Sequence, residues 1–243
     1  MSLGLLRALL ITDPLIILAT VVFGSASLAV SFFDSNGRRQ LRIARAWSRA
    51  LLRIAGVRVE TIGAEKIDPN GSYVFASNHL SYMDTPVVLS QIPVQFRFLA
   101  KKSLFSIPFL GHHLARAGHI AVPKDNPREA VKSMSEAGRV IRERGISVLI
   151  FPEGGRSLTG IQPFREGAAY IAIKAGVPVV PVALTGTFEV LPMGSANVRP
   201  GHVVLRVGEP IPTLELKLQD RGRLTEEVQE RVAAMLGSYT RVA

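Results

Sequence analysis

Tyr73-Val74-Phe75-Ala76-Ser77-Asn78-His79-Leu80-Ser81-Tyr82-Met83-Asp84-Thr85-Pro86-Val87-Val88-Leu89 holds a short apolar run, a polar turn and a second apolar run. The first run reads as a buried strand and the second as the start of a helix. Asp84 before Thr85-Pro86 suits an N-cap, with proline in the first turn. A histidine and an aspartate five apart lie about 140° apart on an α-helix and do not face each other there. At a strand-to-helix turn they can. Two readings stay open at this point. His79 is a base oriented by Asp84, which would hold the other ring nitrogen, or His79 is a loop histidine and Asp84 only a cap.

The same alternation of strand and helix continues outward. Val57 to Ile62, Arg97 to Ala100, His119 to Val122, Ser147 to Phe151, Val177 to Leu184 and Val203 to Val207 read as strands. Asn126 caps a helix that opens with Pro127, has Glu129 to complete a capping box, and ends at Gly145. Glu166 to Ala175 and Leu224 to Leu236 are further helices. This order predicts an α/β fold, a largely parallel or mixed sheet flanked by helices. Residues 56–243 are expected to form that domain, and residues 1–55 a membrane-associated helical segment before it.

The N-terminal segment carries the second signal. Pro14 to Phe33 is twenty residues without a charge, long enough to cross a bilayer as a helix. A cleaved leader is disfavoured, because the apolar run is too long and basic residues follow it at once. A buried core helix and a membrane hairpin bent near Asp13-Pro14 are the alternatives. Arg38 to Gly56 then reads as an amphipathic helix. Arg38, Arg42, Arg45, Arg49 and Arg53 fall on one face, with Ile43, Trp47, Ala50, Leu51 and Ile54 opposite. A purely basic stripe beside an apolar run suits anionic head groups, and it puts this flank on the cytoplasmic side, as in a bacterial inner membrane.

Composition narrows the chemistry. The chain has 243 residues, a net charge of +10 and no cysteine. Disulfides, thiolate metal sites and cysteine nucleophiles are therefore excluded, and the charge calls for an anionic partner. Nucleic acid is not expected, since much of the excess sits in the arginine helix with no aromatics interleaved for base stacking. No metal is expected either. His112, His113 and His119 match no usual ligand spacing and have no carboxylate among them. There is no P-loop, dinucleotide fingerprint or G-x-S-x-G elbow. Lys132, Arg139, Arg142 and Arg144, mixed with Glu136 and Glu143, read as a solvated helix face.

Directly after the buried strand Ser147–Phe151 comes Pro152-Glu153-Gly154-Gly155-Arg156-Ser157. In α/β sheets, ligands sit beyond the carboxyl ends of strands. Glycines there admit close backbone approach, and an arginine fork matches phosphate. Four blocks, taken in order, resemble the glycerolipid acyltransferase family, within it the 1-acyl-glycerol-3-phosphate acyltransferases. Asn78-His79 through Asp84 is similar to its H-x4-D motif. Lys101 to Gly111 is similar to its lysine and Ile-Pro-x-x-Gly block. Phe151 to Ser157 is similar to F-P-E-G-T-R-S, and Val177 to Val182 to V-P-[IV]-[IV]-P-V. Similarity covers about Val57 to Pro212. The sequence departs from the pattern at Gly155, where threonine is usual, at Ser103, where an acid is common, and at Pro123-Lys124, where Asp-Arg is frequent.

The resemblance implies a membrane enzyme of phospholipid biosynthesis. It would move a fatty acyl group from acyl-CoA or acyl-carrier protein to the sn-2 hydroxyl of lysophosphatidate, giving phosphatidate, with no cofactor and no metal. It implies His79 as base and Asp84 as its orienter. Lys101, Glu153, Gly154 and Arg156 would bind the substrate's phosphate region, and Gly154's amide would help polarise the thioester carbonyl. Lys124 would keep a positive charge. Val177 to Val182 would line an acyl pocket or fill the core. Glycerol-3-phosphate or another lysophospholipid is the alternative acceptor. A basic protein that binds membrane or nucleic acid without catalysis is the rival of a different class.

Overall fold

The computed structural model describes residues 3–123, 126–156 and 160–237. In chain order the elements are α1 (Leu3–Arg7), a π-helical turn (Ala8–Thr12), α2 (Asp13–Ser31), α3 (Arg38–Ala55), β1 (Val57–Ile62), β2 (Val74–Ser77), α4 (Asp84–Gln91) and β3 (Phe96–Lys101). They continue with α5 (Leu110–Arg116), β4 (Ile120–Val122), α6 (Pro127–Arg144), β5 (Ser147–Ile150), α7 (Gly167–Ala175), β6 (Val179–Thr185), α8 (Thr187–Val190), β7 (Gly201–Val207) and α9 (Arg221–Gly237). Lys124 and Ser157 lie outside the described residues.

Two compact units share the chain. One comprises residues 1–62, 80–92 and 184–205, the other residues 63–79, 93–183 and 206–243. The second unit is built on parallel strands in the order β6-β2-β5-β3-β4. Val74 is level with Val148 on one side and Val179 on the other. Every residue of β2 and β6 is buried, which is why these strands read as continuous apolar runs rather than alternating ones. The core packs Val140, Ile141, Ile171, Leu224 and Val228 from the helices, and Phe164 from the loop before α7, against the sheet. The Val177–Val182 block thus fills the core: Val179, Val180 and Val182 have no exposed surface. The fold class is the α/β one expected, a largely parallel sheet with flanking helices.

Asn126 caps α6 by accepting from the Glu129 amide at 3.2 Å, but the capping box is not completed. The Glu129 carboxylate pairs with Lys102 Nζ at 3.0 Å instead. On the outer face of α6, Arg139 bonds Glu136 and Glu143, the solvated arrangement expected.

In the first unit, Asp13-Pro14 does not bend the chain. A single helix runs through it from Gly4 to Ser31, 28 residues, long and apolar enough to cross a membrane. Proline has no N–H to offer the carbonyl four residues back. The helix absorbs the loss by widening to π-helical form over Ala8–Thr12, where the Asp13 amide bonds Ala8 O. Leu10, Ile17, Leu18 and Val22 are each more than half exposed, and only 11% of the helix's most apolar window is buried. The reversal comes instead at Gly37, whose φ of 64° is left-handed. There α3 folds back on α2, and Trp47 Nε1 donates to Thr20 Oγ1 at 3.1 Å. Arg38, Arg42, Arg49 and Arg53 are exposed as expected, but Arg45 leaves the basic stripe. It is half-buried and donates to the Ile92 carbonyl at 2.6 Å. The inner face of α3 includes Gln40 and Ser48 beside Leu41, Leu51 and Leu52, polar positions that apolar periodicity alone does not reveal.

Candidate active site

Three neighbouring parallel strands, β2, β5 and β3, point their carboxyl ends the same way, and the motif residues of the second unit follow those ends. His79 lies two residues beyond β2. Its ring stacks on Phe151, one residue beyond β5, with centroids 4.0 Å apart and planes 15° from parallel. Its backbone N–H donates to Glu153 Oε1 at 2.7 Å. The other Glu153 oxygen accepts from the Gln162 amide at 2.8 Å. Glu153 is 8% exposed. Expected among the groups that touch substrate, it ties the backbone of two loops together, and its charge makes it a poor neighbour for a phosphate.

Phe151 to Gly154 forms a tight turn closed by the Gly154 amide on the Phe151 carbonyl at 3.1 Å. Pro152 occupies the second position, where its fixed φ fits, and glycine the fourth. The Gly154 amide is therefore committed to the turn, and the oxyanion role expected of it does not hold. Its φ is 74°, a left-handed backbone. A Cβ there would lie 3.0 Å from the guanidinium of Arg165. Gly154 contributes by conformation and by letting Arg165 cover it. Gly155 differs: a Cβ there would meet nothing within 4 Å.

Arg165 is a further cation beside this turn, outside the four motif blocks, and no spacing in the sequence singles it out. Its amide bonds the Pro152 carbonyl at 3.0 Å, so the segment from Gln162 to Arg165 folds back along the Pro152–Gly154 turn. Arg156 is half-buried just after the turn, and Lys101 is exposed at the last position of β3.

Asp84, in the first unit, is fully buried as the first residue of α4. It is not an N-cap. The capping position is Met83, which has no side-chain cap. The Asp84 carboxylate reaches backwards instead, and its Oδ2 accepts from the amides of Leu80 at 2.7 Å and Ser81 at 2.9 Å. Ser81 Oγ in turn donates to the Leu191 carbonyl at 2.8 Å. The segment that follows His79 in the chain is thereby fixed by the aspartate of its own motif.

His119, the residue before β4, has a separate role. Its Nδ1 accepts from the Phe98 amide at 3.0 Å. Burial, then the nearby Arg97 and His113, push its pKa down to about 3. It is a neutral acceptor that holds the edge of the sheet.

A model of the Acyltransferase family matches residues 58–185. Among curated proteins, the chain is 34% identical over 182 residues to the 1-acyl-sn-glycerol-3-phosphate acyltransferase of Limnanthes douglasii, covering 73% of this chain and 64% of that one. It is 30% identical over 207 residues to the 1-acyl-sn-glycerol-3-phosphate acyltransferase alpha of Bos taurus, covering 84% and 72%. The chain spans about two-fifths to two-thirds of the length of the flowering-plant relatives it matches. Among solved structures, it superposes on the 1-acyl-sn-glycerophosphate acyltransferase PlsC of Thermotoga maritima with a TM-score of 0.79 and 25% identity, over 98% of this chain and 99% of that one. With more than half its length inside that match and relatives at this identity, the chain belongs to the acyltransferase family.

Proposed function

We propose that this protein transfers a fatty acyl group from a thioester, acyl-CoA or acyl-carrier protein, to the sn-2 hydroxyl of 1-acyl-glycerol-3-phosphate, and so forms phosphatidate. The carrying observation is His79, held by Glu153 at the carboxyl end of β2, in a chain whose relatives bear that activity in their names. His79 takes the hydroxyl proton as the oxygen attacks the thioester carbonyl. The new C–O bond forms, the C–S bond breaks, and the proton passes from the imidazolium to the departing thiolate. Asp84, five residues on, stabilises the imidazolium and sets its tautomer. No acyl-enzyme is needed.

Arg156, Arg165 and Lys101 supply positive charge for the acceptor's phosphate, with Arg156 able to fork two donors onto it. Glu153 acts as a positioning residue through the two backbone amides it holds. The Gly4–Ser31 helix and the exposed arginines of α3 favour a membrane, with the basic flank on its cytoplasmic face.

The test offers detergent-solubilised protein lysophosphatidate, glycerol-3-phosphate and a neutral lysolipid, with acyl-CoA and acyl-carrier protein in turn. Phosphatidate is the expected product, formed with lysophosphatidate far faster than with the others. Equal rates with a neutral lysolipid overturn the phosphate reading. No acyl transfer to any acceptor overturns the function.

A further inference from the structure

Seven large apolar side chains stand exposed among the described residues of the second unit, and four of them fall within seven positions: Leu104, Ile107, Phe109 and Leu110, at 36 to 45% exposure. The segment is short, folded and unusual in its backbone. Lys102–Ser106 is a 3₁₀ turn. The Leu110 amide then bonds the Pro108 carbonyl at 2.8 Å across Phe109, whose φ is 66° and ψ −58°. This is a γ-turn of the rare positive-φ kind, strained for a residue with a Cβ, and Phe109 is the one such non-glycine residue among those described. Gly111 closes the fold, because a Cβ there would collide with the Phe105 carbonyl. The turn thus leaves a large aromatic side chain 42% exposed. Burial of that ring would reward such strain; exposure to water does not.

Along the chain, charge here has one sign. From Ile92 to Lys124 the sequence holds Arg97, Lys101, Lys102, Arg116 and Lys124 and no acid, with Arg97 buried. Lys101 and Lys102 are exposed at the base of the apolar turn. Among the described residues, Glu129 pairs with Lys102 and is itself about half exposed, so the pair is weak. Exposed bulky apolar residues in a turn that two exposed lysines precede make the pattern of a surface that dips into the boundary between lipid head groups and acyl chains. Contiguous exposed apolar groups with a polar rim mark an interaction site. The chain's own 28-residue apolar helix supplies the reason that a bilayer is the occupant.

We propose that Leu104–Leu110 is a second membrane contact, by which the unit that carries His79 inserts shallowly into an anionic bilayer independently of the N-terminal helix. It stands apart from the acyl-transfer reading and survives that reading's failure. The absence of native cysteine makes it directly measurable. Ile107→Cys and Leu110→Cys, with Val131→Cys and Leu218→Cys as controls of similar exposure, are each labelled with a nitroxide. The full-length protein is then reconstituted in phosphatidylcholine–phosphatidylglycerol vesicles. Spin relaxation by oxygen, which partitions into lipid, is compared with relaxation by a water-soluble nickel chelate. The expected oxygen-to-nickel ratio is several-fold higher at 107 and 110 than at 131 and 218, and it falls when phosphatidylglycerol is left out. Equal ratios at all four positions overturn the proposal. So does protection of 107 and 110 from both relaxers, which would mean cover by protein, either a second copy or an acidic carrier. A ratio that does not change without phosphatidylglycerol overturns the part assigned to the lysines.

Discussion

The turn after β2 and the turn after β5 leave neighbouring parallel strands, yet they are built on opposite principles. The first, Asn78 to Asp84, is pinned by carboxylates: Glu153 on the His79 amide, and Asp84 on the amides of Leu80 and Ser81. The second, Phe151 to Arg156, is shaped by glycine and bordered by arginines. A turn that is to carry a base must hold one side chain in one place, which backbone amides donating to buried carboxylates achieve. A turn that receives an anion must present cations and leave room. The difference predicts that damage to the first turn appears in rate and stability, and damage to the second in acceptor binding.

The largest effect should come from His79, the proposed base. His79→Ala should lower the rate of phosphatidate formation by a factor of about 10² to 10⁴, the usual contribution of a positioned base. Asp84→Asn should lose nearly as much, since it weakens both the imidazolium and the fixed turn. The double variant should be little worse than His79→Ala, because groups that act as one unit are not additive. Initial rates for the three variants decide this. Losses that simply multiply would leave Asp84 as a structural residue of its own turn.

Glu153 joins the two turns, and it tests whether they are one device. Glu153→Ala strands two amides at a site with little solvent, at a cost of about 1–3 kcal/mol for each amide left unpaired. Both thermal stability and activity should fall. Glu153→Gln keeps one acceptor oxygen and should recover much of the stability. If Glu153→Ala raises only the Michaelis constant for the acceptor and leaves thermal unfolding unchanged, Glu153 touches substrate rather than backbone.

On the anion side, Arg156→Ala should raise the acceptor's apparent Michaelis constant by about 10- to 100-fold, the worth of one charge-assisted contact, with turnover nearly unchanged. Arg165→Ala should do the same to a smaller degree, and Arg156→Lys should rescue little. Acceptor kinetics unaltered in both alanine variants would take phosphate binding away from this turn.

Acid separates the base from the scaffold. His119 is held neutral with a pKa of about 3, against about 6.5 in an unfolded chain. Above pH 6.5 neither state is charged there and His119 contributes nothing to the pH dependence. As pH falls below 6.5 the unfolded state takes up the proton first, so stability declines, by up to about 2 kcal/mol at pH 5. His119→Asn keeps an acceptor for the Phe98 amide and removes the titration, so its stability should vary less between pH 7 and pH 5. Denaturant unfolding at the two values checks this. The same loss in both proteins would place the acid sensitivity elsewhere.

Most of the sheet was legible because its strands obey one rule: β2, β5 and β6 are buried on both faces and read as unbroken apolar runs. Helix ends were legible where glycine stops them, as at Gly145 and Gly176. What escaped was set by reach rather than pattern. The backward turn of the Asp84 carboxylate, the two amides on Glu153, the diversion of Arg45 to Ile92 and the approach of Arg165 to Gly154 all depend on where a side chain ends. Sequence spacing fixes only where it begins. The π-helical turn before Pro14 is a further case, a local adjustment at the point where one of the alternatives had placed a bend.

The smallest effect sharpens the comparison most. Gly154 and Gly155 are adjacent and look interchangeable in sequence, yet only Gly154 is conformationally committed. With φ of 74° and Arg165 3.0 Å from its missing Cβ, Gly154→Ala must strain the turn and displace the arginine. It should cost about 1 kcal/mol or more in stability and raise the acceptor's Michaelis constant. Gly155 has open space around it and no positive φ. Gly155→Thr, the residue usual in the resembled motif, should leave activity within about twofold. By restricting the unfolded chain it should add at most about 0.4–1 kcal/mol to stability. Thermal unfolding and acceptor kinetics of the two variants, measured side by side, read the difference. If Gly155→Thr is as damaging as Gly154→Ala, the room beside the second turn is already needed by the substrate, and the turn is as tightly specified as the first.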